Sequence, residues 1–162
     1  MNRHIAIYPG SFDPFTNGHM DIIHRGLEIF DTVIIAVASN SEKNSLFSIR
    51  ERVEMIERLT QDNPRLLVES FDGLLVHYVV SKEARVILRG LRAVSDFEFE
   101  FQLAQMNHTV CKQVETLFMM TSPKCAYLSS SVVKEVGRLG GDISKFVPPV
   151  VRDELLKKFG YL

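Results

Sequence analysis

Apolar positions in this chain follow two spacings that take turns. Short unbroken runs rich in β-branched residues are separated by longer stretches whose apolar residues recur every three or four positions. The short runs predict five strands: Ile5–Tyr8, Thr32–Ala38, Leu66–Ser70, Arg85–Leu88 and Glu115–Met120. TVIIAVA, at Thr32–Ala38, reads as a strand covered on both faces. The longer stretches predict helices. The first runs over Asn17–Phe30, with Met20, Ile23, Leu27 and Phe30 as its buried stripe. The second is capped by Ser48, with Glu51 completing a capping box, and stops at Asn63-Pro64. Its inward residues are Ile49, Val53, Ile56 and Leu59. Others cover Leu74–Glu83 and Asp96–Val110, the latter with Ser95 as N-cap and with Phe97, Phe101, Ala104 and His108 on one face. Two more begin at Ser129-Ser130-Ser131 and at Pro148-Pro149.

Strands that each lead into a helix imply right-handed βαβ crossovers. The expected fold class is α/β: a doubly wound, five-stranded parallel sheet with helices on both faces, in one domain over 1–162. Such sheets bind ligands beyond the carboxyl ends of their strands. That rule selects Pro9–His19, Ala38–Lys43, Phe71–Leu75, Arg89–Arg92 and Ser122–Ser131 as the ligand edge.

Composition narrows the function classes. The chain has 162 residues, 46% hydrophobic and 24% charged, with a net charge of −1. Non-specific nucleic-acid binding wants a basic surface, so nucleic acid is not an expected partner. No apolar run approaches the roughly 18 residues of a membrane span, so no membrane association is expected. The start of the chain has no room for a signal h-region before the first strand. Two cysteines, Cys111 and Cys125, are too few for a disulfide framework or zinc site. The expected location is cytoplasmic.

The ligand edge carries the chemistry. G-x-x-x-x-G-K-[ST] and G-x-G-x-x-G are both absent, which excludes a P-loop NTPase and an ordinary dinucleotide-binding dehydrogenase. In their place a strand ends at Pro9-Gly10, turns through Ser11–Phe15 and starts a helix at Thr16-Asn17-Gly18-His19. The first amides of a helix lack intrahelical partners and suit anions. Gly18 allows close approach, and His19 sits in the first turn; taken alone, His19 is equally a helix-start histidine without a role. His24 lies about 140° further round the helix and does not share a metal with it. Arg89 and Arg92, at a strand end, suit phosphate oxygens or are solvated surface arginines. Asp96, Glu98 and Glu100 open the next helix, where the helix dipole alone explains acidic residues. Glu100 can also reach a nucleotide or a metal. Lys43 is a loop lysine at the same edge. Of three consecutive serines one suffices as N-cap, leaving two hydroxyls for a phosphate.

Three segments in order carry a resemblance: YPGSFDPFTNGH (Tyr8–His19), ILRGLRAVSDFEFEFQLAQMN (Ile87–Asn107) and LSSSVVKEV (Leu128–Val136). With them the chain resembles the nucleotidyltransferase superfamily, of Rossmann-like fold, and within it the bacterial phosphopantetheine adenylyltransferases. The resemblance covers essentially the full length. It implies transfer of the adenylyl group of ATP to 4′-phosphopantetheine, giving 3′-dephospho-CoA and pyrophosphate, in coenzyme A biosynthesis. It also implies Mg2+ as cofactor and a homohexamer. Metal-ligating residues are not readable.

By the same resemblance His19 stabilises the transition state, and Lys43 and Arg92 assist catalysis. ATP is contacted by Ser11, Phe12 and His19. Gly90, Leu91, Arg92 and Glu100 line the ATP site. So do Cys125, Ala126, Tyr127 and Leu128, with Ser129, Ser130 and Ser131. Ser11, Lys43, Leu75, Arg89 and Asn107 bind the acceptor. The chain departs from the common pattern with Ser11 for Thr, Leu75 for Met and Cys125 for a large aromatic; no ring contact is expected from position 125. Two rival readings share features: a nucleotidyltransferase with another acceptor, such as a cytidylyltransferase or a nicotinamide-mononucleotide adenylyltransferase, and a catalytically silent nucleotide-binding regulator. R-G-L-R-x-x-x-D-F-E favours the phosphopantetheine branch, and intact His19, Arg92 and serines argue against a silent regulator.

Overall fold

The structure is a computed structural model that describes residues 4–39 and 44–162; Lys43 lies outside the described residues. Five strands form one parallel sheet in the order β3-β2-β1-β4-β5. They are β1 (Ile5–Gly10), β2 (Thr32–Ala38), β3 (Leu66–Phe71), β4 (Val86–Leu91) and β5 (Glu115–Met120). The helices are α1 (Asn17–Gly26), α2 (Ile49–Thr60), α3 (Leu75–Ser81), α4 (Val94–Val110), α5 (Ser130–Arg138) and α6 (Pro149–Phe159). The expected doubly wound fold is what forms.

The period-2 alternation of strand side chains divides the core in two. Ala6, Tyr8, Val33, Ile35 and Val37 face one side, where Ile22 and Ile23 of α1, Met55 and Ile56 of α2, Val133 of α5 and Leu155 of α6 cover them. Ile7, Ile34, Ala36 and Ile87 face the other, beneath Val76 and Val79 of α3. Among the described residues no helix is long and apolar enough to cross a membrane.

Several boundaries differ from the sequence expectation. β1 continues through Pro9 and Gly10, which pair with Ala36 and Val37 of β2. α1 stops at Gly26 instead of Phe30. Gly26 packs close against Leu88, where a Cβ would lie 2.9 Å from Cδ2, and the chain turns so that Phe30 enters the core. Arg65 then takes the freed carbonyls of Leu27 and Phe30. β4 extends through Arg89 and Gly90, held by pairing with Phe118 and Met119 of β5. α4 begins at Val94 with Ala93 at the cap position, so Ser95 lies within the helix. Its apolar residues do not form a buried stripe; Phe97 and Phe101 are 42% and 47% exposed. Glu100 is the only buried one among α4's described side chains.

Candidate active site

The strand order reverses between β1 and β4, where the connections leave to opposite faces and a crevice opens at the carboxyl ends. The sequence widens it. β1 and β4 pair only at Ala6↔Val86 and Ile7↔Ile87. Pro9 follows, and proline has no N–H for the ladder. Its carbonyl accepts instead from Nη1 of Arg89 at 2.8 Å. The result is a cleft of about 440 Å³ floored by the ends of β1 and β4 and walled by the starts of α1, α4 and α5.

His19 sits on one wall at the third position of α1. Thr16 caps the helix and His19 closes a capping box. The Thr16 amide donates to His19 Nδ1 at 2.9 Å. An amide can only donate, so Nδ1 is the acceptor and the ring proton sits on Nε2. Burial, followed by the charges of Arg92 and Arg89, lowers the His19 pKa to about 3. The ring is therefore a neutral N–H donor at physiological pH. Aromatic rings surround it, with centroids of Phe12 at 5.0 Å, Phe15 at 5.4 Å and Tyr8 at 6.4 Å. Phe12 holds φ at 48°, a conformation costly for an aromatic residue and characteristic of functional turns. Its ring covers Gly10, where a Cβ would lie 3.0 Å away. Glycine is required there by close approach.

Each arginine is held in a fork by a carboxylate from the start of α4. Arg89 donates from Nε to Glu100 Oε2 at 2.7 Å and from Nη2 to Oε1. Burial works against its charge, but the Glu100 carboxylate outweighs this and the pKa of Arg89 is raised. Arg92 donates to Asp96 through Nε at 2.9 Å and Nη2 at 3.1 Å, and to the Leu128 carbonyl at 3.0 Å. Those hydrogen bonds hold the Asp96 carboxyl below its usual pKa. The dipole explanation of Asp96 and Glu100 is thus incomplete: they fix two cations at the cleft.

The serines have separate tasks. Ser129 caps α5 by accepting from the Val132 amide at 3.2 Å. Ser130 donates to the Pro14 carbonyl at 2.8 Å. Ser131 is exposed, with no hydrogen-bond partner among the described residues.

Of the sequence-expected site residues, the cleft brings together Ser11, Phe12, His19, Arg89, Gly90, Arg92, Glu100, Cys125, Leu128 and the three serines. Leu91, Ala126 and Tyr127 flank it without lining it, and Tyr127 faces Phe146 instead. Leu75 packs on the α3-side core, and Asn107 lies well along α4. The sequence reading omitted Tyr8, Phe99, Thr121 and the holding role of Asp96. Only Asp96 had a legible signal, its i,i+4 spacing from Arg92.

A family model described as Cytidylyltransferase-like matches residues 7–136, and with the fold and cleft it defines the class, a nucleotidyltransferase. A solved chain from Vibrio parahaemolyticus, described as a candidate nicotinate-nucleotide adenylyltransferase, superposes with a TM-score of 0.70 at 19% identity. It covers 98% of this chain and 96% of its own, and shows the fold alone. Curated proteins named phosphopantetheine adenylyltransferase are far nearer. One from Geobacter metallireducens is 64% identical across 98% of both chains. One from Syntrophotalea carbinolica is 62% identical across 98% of this chain and 96% of its own. The chain belongs to the phosphopantetheine adenylyltransferase family.

Proposed function

We propose that the cleft transfers the adenylyl group of ATP to the phosphate of 4′-phosphopantetheine, forming 3′-dephospho-CoA and pyrophosphate. The relatives' name supplies the acceptor. The observation that carries the chemistry is a neutral histidine, proton on Nε2, set beside two arginines that carboxylates of α4 hold in place.

An acceptor phosphate oxygen attacks the α-phosphorus, the bond from that phosphorus to the bridging oxygen breaks, and pyrophosphate leaves. The attacking oxygen is anionic near neutrality, because the second pKa of a phosphate monoester is about 6. No residue has to remove a proton. The chain's task is to align and neutralise two anions. His19 donates to the α-phosphoryl oxygen as charge develops there, and its neutrality leaves that proton in place. Arg92 and the amides at the start of α5 hold the polyphosphate, with Ser11, Phe12, Gly90 and Leu128 against the nucleotide. Arg89 keeps guanidinium N–H groups beyond its three bonds for the acceptor phosphate, and Lys43 adds charge there.

Mg2+ enters this reading on the triphosphate. Among the described residues no cluster of acidic, histidine or cysteine side chains could hold a metal. Mg2+ suits that arrangement, since it keeps water and binds largely through substrate phosphates, whose charge it neutralises. The cytoplasm is the proposed place of work, and the free thiols Cys111 and Cys125 support a reducing compartment.

A homohexamer is the proposed assembly. The exposed apolar residues Phe97, Phe101, Leu103 and Met106 of α4, and Met120 of β5 on the sheet face that meets α4, support it.

Pyrophosphate release tests the reaction with ATP or CTP as donor and 4′-phosphopantetheine or other phosphate monoesters as acceptor. ATP with 4′-phosphopantetheine is the pair expected to turn over. Preference for CTP or another acceptor would overturn the assignment.

A further inference from the structure

Two buried charges that the reaction does not use meet at the turn between β1 and α1. Asp13 is 5% exposed and Arg52 of α2 is 0% exposed. Arg52 donates to the Ser11 carbonyl at 2.7 Å and to the Ser48 carbonyl at 3.3 Å. Asp13 joins two separate parts of the chain through three hydrogen bonds. Its Oδ1 accepts from the Phe47 amide at 2.9 Å, and its Oδ2 accepts from the Leu46 amide at 2.9 Å and from Lys134 Nζ of α5 at 2.8 Å. Ser130 ties the same α5 turn to the Pro14 carbonyl.

A buried carboxylate costs free energy unless it is paired and hydrogen-bonded, and here both oxygens are used. What it joins gives the pairing a meaning. Lys134 stands one turn after the serines that line the cleft, and its ammonium is turned to Asp13. Leu46 and Phe47 follow Lys43 by three and four residues in the sequence. The carboxylate therefore lies between the start of α5 and the segment that follows, in the sequence, the lysine proposed above to serve the acceptor.

We infer that Asp13 is a positioning residue that holds the start of α5 and the segment 44–47 in one register, so that ATP and the acceptor phosphate are aligned with each other. The inference rests on the reaction proposed above. Asp13→Asn places an NH2 against one of the two amides it now accepts from, and so loosens the segment 44–47 as well as α5. Lys134→Met keeps most of the apolar stem, leaves both amide bonds in place and releases α5 alone.

Steady-state kinetics of both variants, with melting temperatures and active-site titration, test this. In Asp13→Asn the KM values for ATP and for 4′-phosphopantetheine both rise about tenfold, within the range of network couplings. In Lys134→Met the KM for ATP rises about tenfold while that for the acceptor stays within about twofold. The double variant is no worse than Asp13→Asn, because both act through one carboxylate. Lower melting temperatures with unmoved KM values would reduce the cluster to a stability device and overturn the inference. So would equal rises in both KM values in Lys134→Met. If Asp13→Asn does not fold, the KM split in Lys134→Met decides alone. A wild-type protein that releases no pyrophosphate with 4′-phosphopantetheine would defeat the reaction reading, and the inference with it. An active wild type with unmoved KM values defeats the inference only.

Discussion

At the scale of single residues, the proposed reaction turns on His19, and the tautomer of its ring follows from one backbone hydrogen bond. The Thr16 amide fixes the tautomer, and burial beside two guanidinium groups keeps the ring neutral. His19→Ala removes a transition-state donor, so kcat falls roughly 10²–10³-fold with little change in ATP affinity; stopped-flow turnover and equilibrium binding measure the two. The pH profile follows from the same facts. With a pKa of about 3, His19 does not titrate between pH 5 and 8. Lowering the pH instead protonates the acceptor phosphate, with a pKa of about 6, and removes its nucleophile. kcat/KM for the acceptor then falls with a slope of one below that pH; a second break near the ordinary histidine value would contradict the neutral-donor assignment. His19 itself was legible, because a histidine after a turn at a helix start is a sequence-local pattern. Asp13 and Arg52 were not. Both bind partners over thirty positions away, and nothing local shows that Arg52 on an amphipathic helix lies wholly inside.

Among the elements, the sheet edge chosen from strand polarity holds the cleft, because parallel connectivity dictates where strand ends gather. What that rule could not decide was which strand ends are near one another. Phe71–Leu75 shares the edge, but β3 closes the far side of the sheet, away from Arg89 on β4. Pro9-Gly10 and Arg89-Gly90 looked like residues that follow strands and lie within β1 and β4. Pairing with β2 and β5 overrides the local break signals. The serine run illustrates a similar limit: composition shows three hydroxyls, and only geometry separates cap, tether and free group. Ser129→Ala therefore costs about 1 kcal/mol of stability through the lost cap. Ser131→Ala leaves the melting temperature unchanged and raises the KM for ATP. Thermal melts alongside ATP titrations distinguish them; a destabilised Ser131→Ala would contradict the division of labour.

Across the whole molecule the fold class was legible, since five β-branched runs alternating with helical periodicities admit few topologies. What covers the α4 face shared by Phe97, Phe101, Ala104 and His108 was not legible. Its phenylalanines recur at helical spacing, as core residues do, yet they stand exposed on a single chain. Periodicity reports an apolar face and not what covers it. The proposed assembly supplies a cover, so Phe101→Glu lowers the mass measured by light scattering from six times 18.5 kDa to a smaller species while each subunit stays folded by circular dichroism. An unchanged mass would place the interface elsewhere.

The central claim is a single in-line transfer within one cleft, without a covalent enzyme intermediate. Turnover of 4′-phosphopantetheine with ATP made chiral at the α-phosphorus tests it most directly. Predicted are 3′-dephospho-CoA with inverted configuration at phosphorus and one pyrophosphate for each product molecule. Retained configuration, or no 3′-dephospho-CoA at all, would contradict it.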